Sequence, residues 1–170
     1  SWLGAYTLCD KVVGSSRILL ITVSNAVYPK SAQLYKESTR LWKVCRQRMQ
    51  FILAGIFFIG SVLLFFFAGF AVRVLSGEEN ETAIIYLRTM ALFPAISALN
   101  VLNVLDQLLK NNSVYIFRIA MIMFAFSVAL AFLLLHYANY KWFGSFTVII
   151  ELCALFMYQY VVQKPAIQNV

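Results

Sequence analysis

The sequence predicts an all-α membrane protein, a polytopic bundle of five transmembrane helices, and three observations carry that prediction. Of its 170 residues 62% are hydrophobic, and the mean hydropathy is +0.78; soluble globular chains are nearer half apolar. The apolar residues fall into five runs, about 4–28, 49–72, 83–105, 114–137 and 143–162. Each is close to the roughly 20 residues that cross a hydrocarbon core about 30 Å thick. Only helices or closed barrels satisfy every backbone polar group in lipid, and runs of this length mean helices. The 14 Lys and Arg exceed the 7 Asp and Glu, for a net charge of +7. These cations gather between the runs, as membrane topology requires, and not along a groove that would hold nucleic acid.

The first run is the least ordinary, because Asp10, Lys11 and Arg17 lie inside it. Ionisable groups at that depth cost several kcal/mol unless they meet a partner or a wet cavity. At about 100° per residue, Lys11, Gly14, Ser15, Thr22 and Asn25 share one face, with Asp10, Arg17 and Ser24 beside it. The remaining arc, through Leu8, Val12, Val13, Leu19, Leu20, Val23 and Val27, is expected to face lipid. Two readings follow: the charges pair inside a bundle, Asp10 with Arg17 for instance, or they line a membrane-embedded polar cavity. A break is expected at Val27-Tyr28-Pro29-Lys30.

From Pro29 to Arg48 the chain carries Lys30, Lys36, Arg40, Lys43, Arg46 and Arg48 against Glu37. This link 29–48 is expected to be cytoplasmic by the positive-inside tendency. With Leu34, Leu41, Trp42 and Val44 among its cations it also reads as a short amphipathic helix on the anionic leaflet. Alternation then puts 73–82 outside, 106–113 inside, 138–142 outside and the tail with Lys164 inside. The acidic loop Gly77-Glu78-Glu79-Asn80-Glu81 becomes an outer turn. Trp2, Tyr6, Tyr137, Tyr140 and Trp142 would lie at the outer headgroups, and Tyr28, Tyr35, Trp42, Tyr158 and Tyr160 at the inner ones.

Runs two and four are apolar all round, the second rich in Phe, and are expected to be lipid-facing walls. Run three should kink at Pro94, and Ser97, Asn100, Asn103 and Gln107 form a polar stripe beyond it. Asp106 and Lys110 make an i, i+4 pair there. Run five carries a lone carboxylate, Glu151, near the bilayer midplane, with Gly144, Thr147, Ala154 and Tyr158 on its face. Glu151 reads either as one half of a buried ion pair or as an ion-coupling group. Three helices with a polar side and two without make a bundle around a cavity.

Catalytic patterns are lacking in the sequence. It has no paired acid motif, no Gly-rich phosphate loop and no HExxH-type spacing. The lone His136 reads as interfacial, and Cys9, Cys45 and Cys153 form no CxxC and read as apolar fillers. No enzyme, metal or other cofactor is expected. Arg88 and Arg118 lie close enough to a surface to snorkel.

Leu3-Gly4-Ala5-Tyr6-Thr7, then Asp10-Lys11-Val12-Val13, then Val27-Tyr28-Pro29-Lys30-Ser31 and the basic link resemble the MOP superfamily. More narrowly, with Arg73-Val74-Leu75-Ser76-Gly77 before an acidic loop, the chain looks like the C-terminal lobe of Wzx-type O-antigen or polysaccharide flippases. The resemblance implies a two-lobed, MATE-like transporter of the bacterial inner membrane, of which this chain, starting at Ser1 without Met, is one end. It implies that the partners are the bilayer, an N-terminal lobe of the same protein and a polyprenyl diphosphate sugar, with polysaccharide polymerase machinery beside them. The two lobes would carry an undecaprenyl-pyrophosphate-linked oligosaccharide between leaflets by alternating access around a cationic cavity. Lys11 and Arg17 would hold the diphosphate, Asn25 and Asn100 would line the cavity, and Asp10 and Glu151 would supply ion coupling or a buried ion pair. A multidrug exporter of the same superfamily and a non-transporting scaffold subunit are the alternative expectations.

Overall fold

The computed structural model describes residues 2–77, 80–137 and 140–163. Among them the chain is helical throughout, with no strand. α1 spans Trp2–Glu37, α2 Thr39–Phe66, α3 Ala68–Ser76, α4 Glu81–Met90, α5 Phe93–Leu109 and α6 Ser113–Tyr137. A 3-10 turn at Tyr140–Gly144 leads into α7, Ser145–Gln163. Four stretches are long and apolar enough to cross a membrane: Thr39–Phe66, Glu81–Leu109, Ser113–His136 and Trp142–Tyr160. This is a membrane protein. α1, which carries Asp10, Lys11 and Arg17, is long enough but is not among those four. Glu78, Glu79 and the tail with Lys164 lie outside the described residues, as do the side chains of Trp2, Tyr137, Tyr140 and Lys141.

α5 is the central element, packed against α1, α2 and α7, while α6 rests mainly on α7. Half of the α4–α5 span is buried, against 6% for the spans of α2 and α6. The two apolar runs are therefore outer walls, and Phe51, Phe58, Phe66 and Phe70 of the second run are exposed. Helices in lipid gain little from apolar burial against one another, so close packing of small residues has to join them. Ala5, Cys9 and Val13 of α1 meet Ala83, Tyr86, Leu87 and Met90 of α4 in this way. The Cys9 thiol donates to the Ala83 carbonyl at 3.2 Å. Gly144 is required at its position: a Cβ there would run into Thr89 Oγ1 and come within 3.2 Å of the Tyr86 Cα.

The Pro94 expectation holds. α4 stops at Met90, and Pro94 lies in the first turn of α5, where its missing N–H would have no helical partner anyway. Pro29 behaves differently. α1 runs through it without a break to Glu37, contrary to the expected interruption at 27–30. Pro leaves one carbonyl unpaired and crowds the preceding turn. Beyond it, however, Ser31 is buried and Tyr35 packs against the Trp42, Leu102 and Leu105 cluster. Tertiary contacts on the next two turns outweigh the local penalty.

The link 29–48 is likewise no surface helix. Its first part extends α1, its last part begins α2, and the two meet in a one-residue turn at Ser38. Ser38 is extended at φ −161° and its hydroxyl accepts from the Leu41 N–H at 3.4 Å, capping α2. Trp42 accounts for the departure. It is 1% exposed, and its indole N–H donates to Asp106 Oδ1 at 2.8 Å. Arg46 Nη1 lies 2.8 Å and Lys110 Nζ 2.6 Å from Asp106 Oδ2. These contacts hold the start of α2 upright against the end of α5. The Asp106–Lys110 pair is thus present, but as part of a four-residue cluster. Tyr6 and Tyr158 also have protein neighbours: Tyr6 packs on Tyr86 and Phe143, and Tyr158 is buried.

Candidate functional site

α1 packs with Ala5, Cys9, Val13 and Leu20, all buried. Val13 and Leu20 therefore face the bundle, whereas they were expected to face lipid; Leu19 on the same arc is 60% exposed. This orientation separates the polar residues of α1 into two groups. Arg17 and Asp10 turn towards gaps between α1 and its neighbours, and Asn25 borders one of them. Lys11, Ser15 and Thr22 are exposed on the far side, away from the packed face.

Two clefts meet at Arg17. The first, about 430 Å³, lies between α1, α6 and α7 and is lined by Tyr6, Asp10, Arg17, Phe124, Phe146 and Thr147 among others. The second, about 340 Å³, lies between α1, α5 and α7, with Arg17, Ser24, Asn25, Ser97, Asn100 and Glu151 in its wall. Phe93 forms a floor for the cation: the Arg17 guanidinium carbon is 4.8 Å from the ring centroid, within cation–π range.

The ion-pair partner of Arg17 is Glu151, with Nη2 to Oε2 at 3.8 Å. Asp10, offered as that partner from sequence, makes no salt bridge among the described residues. Asn100 orients the carboxylate from α5. Its Nδ2 donates to Glu151 Oε1 at 2.8 Å and to the Glu151 carbonyl at 3.0 Å. Asn100 Oδ1 is buried and has no hydrogen-bond partner. Glu151 is thus gripped on one oxygen and loosely paired on the other, while the Arg17 side chain stays 55% exposed. At that exposure the ion pair contributes little to stability. The guanidinium keeps donors free for an anion in either cleft.

Of the residues singled out from sequence, Asp10, Arg17, Asn25, Asn100 and Glu151 border these clefts, and Lys11 borders neither. The hydroxyls on the Lys11 face are satisfied locally: Ser15 donates to the Lys11 carbonyl and Thr22 to the Ile18 carbonyl, each at 2.9 Å. Arg88 lies over the Phe65 ring at 5.8 Å, away from both clefts. Sequence reasoning missed Phe93 as a cation platform and Gln50, which donates to the Leu99 carbonyl at 2.8 Å. Gln50 sits where the second run begins, and one polar amide at a run boundary gives no sign that it reaches another helix. No family model, curated protein or solved structure matches this chain.

Proposed function

We propose that the chain is a five-span transmembrane lobe of a transporter that moves polyprenyl-diphosphate-linked oligosaccharides across the bacterial inner membrane. α1 supplies the fifth span, with the Ser38 turn on the cytoplasmic side. The observation that carries this reading is Arg17, a half-exposed guanidinium shared by two clefts and steadied by Glu151 and Phe93. A diphosphate leaving water needs charge-assisted hydrogen bonds, and a guanidinium supplies them in paired geometry. Glu151 holds Arg17 while the site is empty and gives it up to the phosphate. Lys11 adds a second cation on the open face of α1. The resemblance to Wzx-type flippases points the same way.

One observation favours a cation exporter instead. The larger cleft combines Asp10 with Phe93, Phe124 and Phe146, a lining suited to organic cations. Proteoliposomes decide between the two. With the full-length protein, a fluorescent undecaprenyl-diphosphate sugar should become accessible to an impermeant quencher in both leaflets, and a cationic dye should stay put. Dye movement without lipid movement assigns the site to the exporter. Movement of neither leaves the chain a scaffold subunit.

A further inference from the structure

The α1–α2 hairpin holds a furrow that no part of the described chain fills. α1, at 36 residues, is about 54 Å long, more than a hydrocarbon core of about 30 Å takes up. Beside the Ser38 turn a space of about 370 Å³ is lined by Leu34, Arg40, Leu41, Val44, Arg48 and Met49. Its floor is apolar, and Leu41 and Val44 are 56% and 45% exposed among cations. Arg40 and Arg48 are exposed and have no salt-bridge partner among the described residues. Eight residues apart on one helix, they are separated by about 12 Å along the axis, with Val44 midway.

This furrow continues a face of α2. Leu41, Val44, Arg48, Ile52, Ile56, Ile59 and Leu63 recur at spacings of three and four and share one side of the helix. Ile52, Ile56, Ile59 and Leu63 are exposed within Thr39–Phe66, a stretch long and apolar enough to cross a membrane. A lipid with its chains along these residues brings its headgroup to Arg48 and the mouth of the furrow. We propose that the furrow binds the headgroup of an anionic phospholipid. The phosphate sits between Arg40 and Arg48, and the glycerol and first methylenes lie over Val44 and Met49. An acidic protein segment would satisfy the two arginines but would leave unexplained why the same stripe runs on into the hydrocarbon.

Native mass spectrometry of the full-length protein in detergent tests this with equimolar phosphatidylglycerol and phosphatidylcholine. Wild type should retain phosphatidylglycerol with about tenfold preference, about 1.4 kcal/mol, because both lipids present a phosphate but only phosphatidylcholine adds a cationic choline that the two arginines repel. Arg40→Gln/Arg48→Gln should bring the preference near unity, while Lys43→Gln, exposed on the other side of α2, should keep it. Val44→Trp fills the furrow with both arginines in place and should also remove the preference, so a poorly folding double variant does not leave the question open. The proposal is overturned if Val44→Trp keeps the full preference, or if Lys43→Gln loses as much as the double variant. It is also overturned if glycerol phosphate displaces the lipid at equal concentration, or if wild type shows no preference but binds a Glu-rich amphipathic peptide.

Discussion

Asn100 Nδ2 lies 2.8 Å from Glu151 Oε1, which ties the kinked third span to the last one through a carboxylate. The contact joins residues 51 positions apart, and Asn100 is 5% exposed. A hydrogen bond to a charged group in such a place contributes about 1.5–3 kcal/mol. Asn100→Ala should therefore lower the unfolding midpoint in detergent, and Glu151→Gln should lower it less because an amide still accepts from Asn100. A double-mutant cycle should give a coupling of about 1–2 kcal/mol. Additive effects would mean that the pair does not form. If Glu151 also couples transport to an ion, Glu151→Gln removes the dependence on the ion gradient while folded yield stays near normal.

The Asp106 cluster gives a larger stability effect. Asp106 is 1% exposed and meets Trp42, Arg46 and Lys110. Asp106→Ala leaves the mostly buried Arg46 cation without its counter-charge, which typically costs about 3–5 kcal/mol. Trp42→Phe keeps most of the packing and loses one charge-assisted bond, about 1.5–3 kcal/mol. Thermal unfolding in detergent should rank wild type above Trp42→Phe and Trp42→Phe above Asp106→Ala. The reverse order would show that indole packing, not the carboxylate, holds α2 upright.

Gly144→Ala should destabilise by about 1–3 kcal/mol, the usual range for overpacking. The added methyl meets Thr89 Oγ1 and the backbone at Tyr86. The double variant Gly144→Ala/Thr89→Ala removes one of those obstacles and should recover part of the loss. No recovery would place the conflict at the α4 backbone alone.

Orientation is testable in whole cells with Cys9, Cys45 and Cys153 replaced. Trp42–Asp106 contacts gather the Ser38 turn and the end of α5 at one end of the bundle, and Tyr6–Thr147 contacts gather the starts of α1 and α7 at the other. Cysteine at Glu81 should react with an impermeant reagent added outside, and cysteine at Thr39 should not. The opposite result would invert the protein.

What was legible in the sequence follows from the range of each interaction. The second and fourth runs are apolar all round, so they read as outer walls in any orientation, and periodicity suffices. Pro94 acts through its own backbone, so its break is local. Pro29 obeys the same local rule and yet fails to break α1, where Ser31 is buried and Tyr35 is held by Leu102 and Leu105, far along the chain. Trp42 gives no sign in the sequence that its indole meets Asp106, 64 positions away. The candidate site shows the same division. Arg17, Asn100 and Glu151 stand out as polar residues in apolar runs, but sequence could not choose Glu151 over Asp10 as the partner of Arg17. That choice depends on which face of α1 packs, and Cys9 and Val13 decide it by fitting against α4.

The most direct test of the account is the rate at which a fluorescent undecaprenyl-diphosphate sugar crosses proteoliposomes carrying Arg17 variants of the full-length protein. Arg17→Ala removes the guanidinium shared by the two clefts and should slow flipping by about 100-fold or more, the scale of about 2.7 kcal/mol or greater for a lost phosphate contact. Arg17→Lys keeps the charge but loses the planar fork and should retain part of the rate. Lys11→Ala, on the open face of α1, should slow it less than Arg17→Ala. Leu19→Ala, exposed on the apolar arc, should leave it near normal. Normal flipping by folded Arg17→Ala, or a loss in Leu19→Ala equal to its own, would contradict the assignment of the diphosphate to these clefts.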